Sequence, residues 1–292
     1  MTARRLPALT AIALVLAQIA YPLTSGAGRD RVTVVVVVLS AATALAHAAT
    51  TRGPRFAAGF VLIVSGLGLA AEILGTASGF PFGCYDYASG RLGPAVAGVP
   101  LVVPLAWTGG LYPVWVVAGR LYSRARLRIP MTAVGAVGWD LFLDPQMVAD
   151  GQWSWCAAAP GLPGLPQIPY TNYLGWLALA AFMAALLELL ARGHAASGID
   201  AVPTAVFLWT WLGSTLAHAA FLHLPASAAY GFLGLGILGI PLLAALLRSR
   251  HPRRAFGRGP SMDSGQKHAG MTDGTSPGPA GMTDGTAPDP PE

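Results

Sequence analysis

Eight apolar runs, each close to the length needed to cross a bilayer, occupy the first 250 residues of this chain. They lie at Leu6–Leu23, Val32–Thr50, Phe56–Thr76, Gly98–Ala118, Pro130–Val148, Tyr173–Ala191, Val202–Leu222 and Ala226–Leu247. A span needs about 20 mostly apolar residues. In lipid the backbone finds no water to bond, so such runs must be helical. Val32–Val38 would read as a strand in water, but its continuation through Ala49 gives a length only a membrane helix uses. Composition agrees. Hydrophobic residues make up 54% and charged residues 11%, with a mean hydropathy of +0.55, whereas soluble domains are about a quarter charged. A water-soluble globular domain is excluded. The expected fold is all-α: a polytopic membrane bundle of about eight transmembrane helices over residues 1–250.

The net charge of +5 matters less than its placement. With eight spans and a cytoplasmic N-terminus, 15 of the 18 basic residues fall on the inner side. Only Arg29, Arg31 and Arg91 fall outside. That split follows the positive-inside rule and puts both termini in the cytoplasm. The basic residues sit at helix ends and are not interleaved with exposed aromatics, so no nucleic-acid partner is expected. Arg4 and Arg5 precede the first apolar run as in a signal peptide, yet no A-x-A site follows, and an uncleaved helix is expected. Residues 251–292 form a separate segment with an 11-residue near-repeat, AGMTDGTSPGP and AGMTDGTAPDP. Its composition reads as a disordered cytoplasmic tail.

Two outer loops, Ala77–Ala97 and Ala149–Asn172, are long and rich in aromatic residues, Pro and Gly. Such loops are often functional, and an interfacial aromatic belt is the alternative. The only two cysteines, Cys84 and Cys156, fall one in each loop. They either cross-link, tying the loops into a lid, or remain free thiols packed among aromatics. GLGILG at Gly234–Gly239 matches G-x-G-x-x-G but lies inside an apolar helix. There it reads as a helix-packing seam, not a dinucleotide loop.

Ionisable residues inside spans are the sharpest signal, because charge in hydrocarbon is costly. Glu72, Asp144 and His218 each lie four residues short of an outer boundary, a shared depth of about 6 Å. Asp140 lies one turn deeper on the Asp144 face. The four could line one outward pocket. The bland alternative is that each caps a helix end or pairs with a loop Arg, with Asp144 before Pro145 marking a helix break. His47 and Glu188 fall near the inner boundary, outside that pocket. Asp140-x-x-x-Asp144 also looks like half of a prenyltransferase metal site, but Ala136 stands where a further polar ligand would be needed.

Three stretches carry a family likeness: FGCYDYASGRLGPAVAGVPLVVPLAW (Phe82–Trp107), WDLFLDPQMVADGQWSW (Trp139–Trp155) and IPYTNYLGW (Ile168–Trp176). They resemble the integral-membrane carotenoid biosynthesis family. That family includes carotenoid 1,2-hydratases of cyanobacterial type and bisanhydrobacterioruberin hydratases of haloarchaea. The likeness runs from about Gly59 to Leu247, with a departure at GLPGLPQ, where the family more often has Tyr-Tyr-Gly. The resemblance implies a multi-pass protein of a prokaryotic plasma membrane. Its implied reaction is acid-catalysed addition of water across a terminal C=C of an acyclic carotenoid, giving a tertiary alcohol.

Such chemistry needs a protonated acid, cation-stabilising faces and one ordered water. A carboxyl in an apolar site can supply the acid, and Trp and Tyr faces the stabilisation. Neither a cofactor nor a metal is expected. Asp140 and Asp144 are the expected acid pair, with Asp140 the donor because it is deeper, and Glu72 and His218 orienting the water. Tyr85, Tyr87, Trp139, Trp153, Trp155 and Asn172 are expected to bind substrate. The expected partners are a lipophilic polyene, the bilayer and other membrane enzymes of the pathway. A non-catalytic carotenoid-binding or pathway-organising protein is the alternative. A transporter would be expected to show an inverted repeat, which is not evident here.

Overall fold

The computed structural model describes residues 5–156, 160–194 and 200–250. The tail from residue 251, with its near-repeat, and Arg4 lie outside the described residues. The described residues form an all-α membrane bundle of eight helices: α1 (Leu6–Ala20, followed by a 3-10 turn at Tyr21–Leu23), α2 (Gly26–Arg52), α3 (Pro54–Ser78), α4 (Val102–Leu121), α5 (Ala125–Ala149), α6 (Tyr170–Ala191), α7 (Ala201–Leu216, followed by a π turn at Ala217–Phe221) and α8 (Pro225–Arg250). Six of these, α1 with its 3-10 turn, α2, α3, α4, α6 and α8, are long and apolar enough to cross a membrane by length and composition. The other two are α5, which carries Arg126, Arg128, Asp140 and Asp144, and the 16-residue α7.

Helix boundaries depart from the apolar runs where charge or proline hid the continuation. α2 begins at Gly26 and takes Arg29, Asp30 and Arg31 into its first turns. α4 begins only at Val102, because β2 (Ala95–Val96) and β3 (Val99–Pro100) form a small hairpin ahead of it. α5 starts at Ala125 and runs unbroken through Pro130 and Pro145. Asp144 therefore marks no helix break. Proline has no N–H to offer the carbonyl one turn back, and at Pro145 that carbonyl belongs to Leu141. Ser227 Oγ, from α8, donates to it at 2.6 Å and fills the missing bond.

α4 is the central helix. About 72% of its span is buried, against 17% for the span of α1. One apolar cluster joins α4 to α2, α3 and α6 around Phe56, Phe60, Trp107 and Met183. A second joins it to α5, α7 and α8 around Phe142, Phe207, Trp211 and Leu238. α5 and α8 pack backbone to backbone at Gly138 and Gly234. A Cβ on Gly138 would stand 2.6 Å from the Gly234 carbonyl carbon. The GLGILG run is thus a packing seam in α8.

The two long loops meet at one end of the bundle. β1 (Tyr85–Tyr87) pairs antiparallel with β4 (Trp153–Trp155), in the register Tyr85 to Trp155 and Tyr87 to Trp153. Cys84 and Cys156 are joined by a disulfide with Cα atoms 5.4 Å apart, and Cys156 N donates to Cys84 O at 2.8 Å. A further hairpin, β5 (Gly161–Leu162) with β6 (Leu165–Pro169), leads into α6. Ion pairs hold these loops to the start of α2: Arg91 to Asp30 and Arg29 to Asp150, each at 2.7 Å. Tyr21 also donates to Asp150. At the opposite end Arg128 of α5 pairs with Glu188 of α6. His47 Nδ1 lies 2.9 Å from the Tyr112 hydroxyl.

Candidate active site

The helices and the two loops enclose a cavity of about 1060 Å³, at the large end for small-molecule sites. Its head lies beneath the β1–β4 ribbon. Three expected residues, Glu72, Asp144 and His218, line this one cavity, although they come from α3, α5 and the π turn after α7. The shared depth read from the sequence is therefore a shared chamber. Asp140 is fully buried and stands behind the wall, one turn from Asp144.

Asn172, in the first turn of α6, bridges the two aspartates. Its Nδ2 donates to Asp140 Oδ2 at 3.0 Å and to Asp144 Oδ2. An amide has two N–H bonds on that nitrogen, so one reaches each carboxyl. Asp140 Oδ1 is buried without a hydrogen-bond partner among the described residues. No Lys or Arg forms an ion pair with Glu72, Asp140 or Asp144 among those residues.

Glu72 receives three neutral donors. Tyr85 and Tyr87 hydroxyls donate to Oε2 at 2.5 and 2.7 Å, and Trp107 Nε1 donates to Oε1 at 3.1 Å. Alternation along β1 explains part of this. Residues two apart on a strand share a face, so Tyr85 and Tyr87 both turn to Glu72 while Asp86 points away and is exposed. Burial, and then the Glu72 carboxyl beside them, push both phenols well above the ordinary tyrosine range. They stay protonated and remain donors.

Aromatic faces complete the head. Trp107 stacks on Trp176 with centroids 3.8 Å apart, and Trp139 meets Trp176 edge-on at 5.5 Å. Tyr87 meets Trp153 edge-on at 5.5 Å, and Trp155 lies against Tyr85 at 5.8 Å. Trp155 is fixed by its Nε1 donating to Phe82 O at 3.1 Å. Gly83, at φ +96°, makes the turn from Phe82 into Cys84. A Cβ there would press on Pro169, Thr171 and Trp155 at 3.1–3.3 Å.

His218 shares the chamber but makes no hydrogen bond to the acids among the described residues. Its Nδ1 lies 2.9 Å from Ser227 Oγ and its Nε2 3.0 Å from Gln146 Oε1. Ser227 gives its single hydroxyl proton to Leu141 O, so it accepts from His218, which must carry a proton on Nδ1. In that tautomer Nε2 is an acceptor, so His218 holds Gln146, itself a lining residue, by taking an N–H from its side-chain amide, with that amide turned over. Trp107, Trp176 and Gln146 were not singled out from sequence. Trp107 and Trp176 each close a stretch that carries the family likeness, which was the available signal. Gln146 had none. Among the described residues, no three His, Cys, Asp or Glu side chains converge as a metal ion's ligand set.

No curated protein and no solved structure matches the chain. The profile of the carotenoid biosynthesis protein family matches residues 32–240, a stretch that includes every residue of the chamber's head. This membrane protein therefore belongs to the carotenoid biosynthesis protein family and has its role in that synthesis.

Proposed function

We propose that the protein is a hydratase that adds water across the terminal C=C of an acyclic carotenoid end group. The observation that carries this reading is Asp144. It lies on the wall of an aromatic chamber, coupled through Asn172 to a second buried carboxyl and with no cation beside it. A carboxyl placed so can exchange a proton with a ligand. One held in an ion pair is committed to its partner.

Asp144, which lines the cavity, is the proton donor in this reading. Asp140 was the donor expected from sequence depth, but its position behind the wall makes it the partner that shares and returns the proton. Asp144 gives its proton to the less substituted carbon of the terminal double bond. The alkene's electron pair forms the new C–H bond, and a tertiary cation is left on the more substituted carbon. The faces of Trp139, Trp153 and Trp155 surround that position, each able to stabilise a cation by about 0.5–2 kcal/mol once water is excluded. One water then adds to the cation, and its surplus proton returns to the aspartate pair. Atoms and electrons balance without a redox change.

Glu72 and His218 act through others. Glu72 fixes Tyr85 and Tyr87 against the chamber, and His218 fixes Gln146, whose amide is suited to hold the attacking water.

Expression in a host that makes an acyclic carotenoid tests the reading. Mass spectrometry of the extracted pigments should show the gain of one or two waters, with oxygen-18 entering from labelled water and not from oxygen gas. Unchanged pigment in the presence of correctly inserted protein would leave a carotenoid-binding role without chemistry.

A further inference from the structure

The cavity does not stop at the acids. It continues as a trough bounded by α7 on one side and by α1 and α2 on the other. On α7 it is lined by Ala205, Leu208, Leu212 and Leu216, and on the π turn that continues α7 by Phe221. Their spacing of three to five residues places them along one helical face, over a length of about 24 Å. Ile19 of α1 and Val36 of α2 stand on the opposite wall. One side of the trough is open. Leu212, Leu216 and Phe221 are 46%, 61% and 52% exposed, where a bundle of this kind meets lipid.

Among the described residues one polar contact is seen across this apolar trough: Trp209 Nε1 of α7 donates to Gln18 Oε1 of α1 at 3.0 Å. Gly213, one turn on, gives the Trp209 indole its seat. A Cβ there would lie 3.2–3.5 Å from the ring. A hydrogen bond between two otherwise apolar helices is a weak tie in a membrane. That is enough to close a gap and little enough to open it.

We propose that this trough is the seat of the substrate's hydrocarbon body. The inference rests on the hydratase reading of the chamber. The end group occupies the head beside Asp144, and the stiff, extended polyene lies along α7 with one edge in the bilayer. The Gln18–Trp209 bond is a clasp that opens for lateral access from lipid. A long slender apolar trough with acids at one end fits a long slender hydrocarbon whose reactive group is terminal. Recognition then covers the near part of the molecule, and whatever lies beyond the trough stays in lipid. A substrate with two identical ends is released and turned round between the two hydrations.

The test uses the full chain in lipid vesicles and two probes with the same isopropylidene terminus: a forty-carbon acyclic polyene and a fifteen-carbon acyclic isoprenoid hydrocarbon. The readout is the ratio of kcat/KM for the long probe over the short one. Leu212→Trp, which fills the trough, should lower this ratio about tenfold or more. Leu233→Trp adds the same bulk on α8, at a side chain 66% exposed and away from the trough, and should leave the ratio unchanged. An unchanged ratio for Leu212→Trp, or an equal fall for Leu233→Trp, overturns the proposal, as would be found if a lipid acyl chain were the occupant.

Binding of the long probe is followed separately by quenching of indole emission. Trp209→Phe should lose a distinct share of that quenching, and an undiminished signal overturns the trough. Quenching that depends on Trp209, with neither probe hydrated, would uphold the trough and sink the hydratase reading.

Discussion

Two kinds of carboxyl group, fully or partly buried, divide this molecule. At the ends of the bundle each has a basic partner: Glu188 with Arg128, Asp150 with Arg29 and Asp30 with Arg91. In the chamber Glu72, Asp140 and Asp144 are met by neutral donors alone, from Tyr85, Tyr87, Trp107 and Asn172. An uncompensated charge in an apolar interior is costly, so a carboxylate that serves only to hold helices together gains from a guanidinium. The fold supplies one at each end. Three acids grouped without any cation are an expense that packing does not explain. The contrast separates acids that fasten the bundle from acids available to a ligand.

That division can be broken by substitution, read as hydration per folded molecule. The largest effect should come from Asp144→Asn, which keeps the shape and the reach of Asn172 but removes the transferable proton. Loss of a positioned general acid lowers turnover by about 10²–10⁴, measured as product formed in vesicles. Activity within twofold of the parent would return Asp144 to the structural class. Next is the double variant Tyr85→Phe, Tyr87→Phe. It strips two of the three donors from Glu72 and should lower turnover about tenfold, while each single variant falls less.

A smaller effect is expected from replacing both cysteines by serine. The bridge closes a sequence separation of 72 residues, and such bridges stabilise by about 2–4 kcal/mol. Thermal unfolding should shift downward, and turnover should fall only a few-fold because the β1–β4 register also aligns the tyrosines. Smallest of all on turnover is Arg128→Gln. It leaves Glu188 without its cation and should cost about 1–3 kcal/mol of stability, less than a fully buried pair because the Arg128 side chain is 29% exposed. Hydration by the folded fraction should be nearly that of the parent. A loss there matching Asp144→Asn would erase the distinction between the two kinds of acid.

Much of this was legible in the sequence because a membrane restricts the choices. Eight apolar runs allow few arrangements, and counting residues from each outer boundary was enough to bring Glu72, Asp144 and His218 to one chamber. The same alternation put the two long loops on one side, with a cross-link between them as one of two alternatives. What the sequence hid was set by single hydrogen bonds between distant segments. Pro145 reads as a break until Ser227, 82 positions later, is seen to satisfy Leu141 O. His218 reads as a partner for the acids until Ser227 and Gln146 are seen to occupy its ring nitrogens. Spacing gives depth along a helix but not which side chain stands in front. For that reason Asp140 and Asp144 could not be ranked until the wall of the cavity was known.

In the hydratase reading a proton passes from the Asp144 pair to the terminal double bond before water adds. Hydration of an acyclic polyene in vesicles made up in deuterated, oxygen-18-labelled water tests it most directly. One deuteron is expected on the carbon next to the new tertiary alcohol and one labelled oxygen on the alcohol itself, both lost in Asp144→Asn. An alcohol whose oxygen comes from oxygen gas, or doubly labelled product formed at the parent rate by Asp144→Asn, would contradict it.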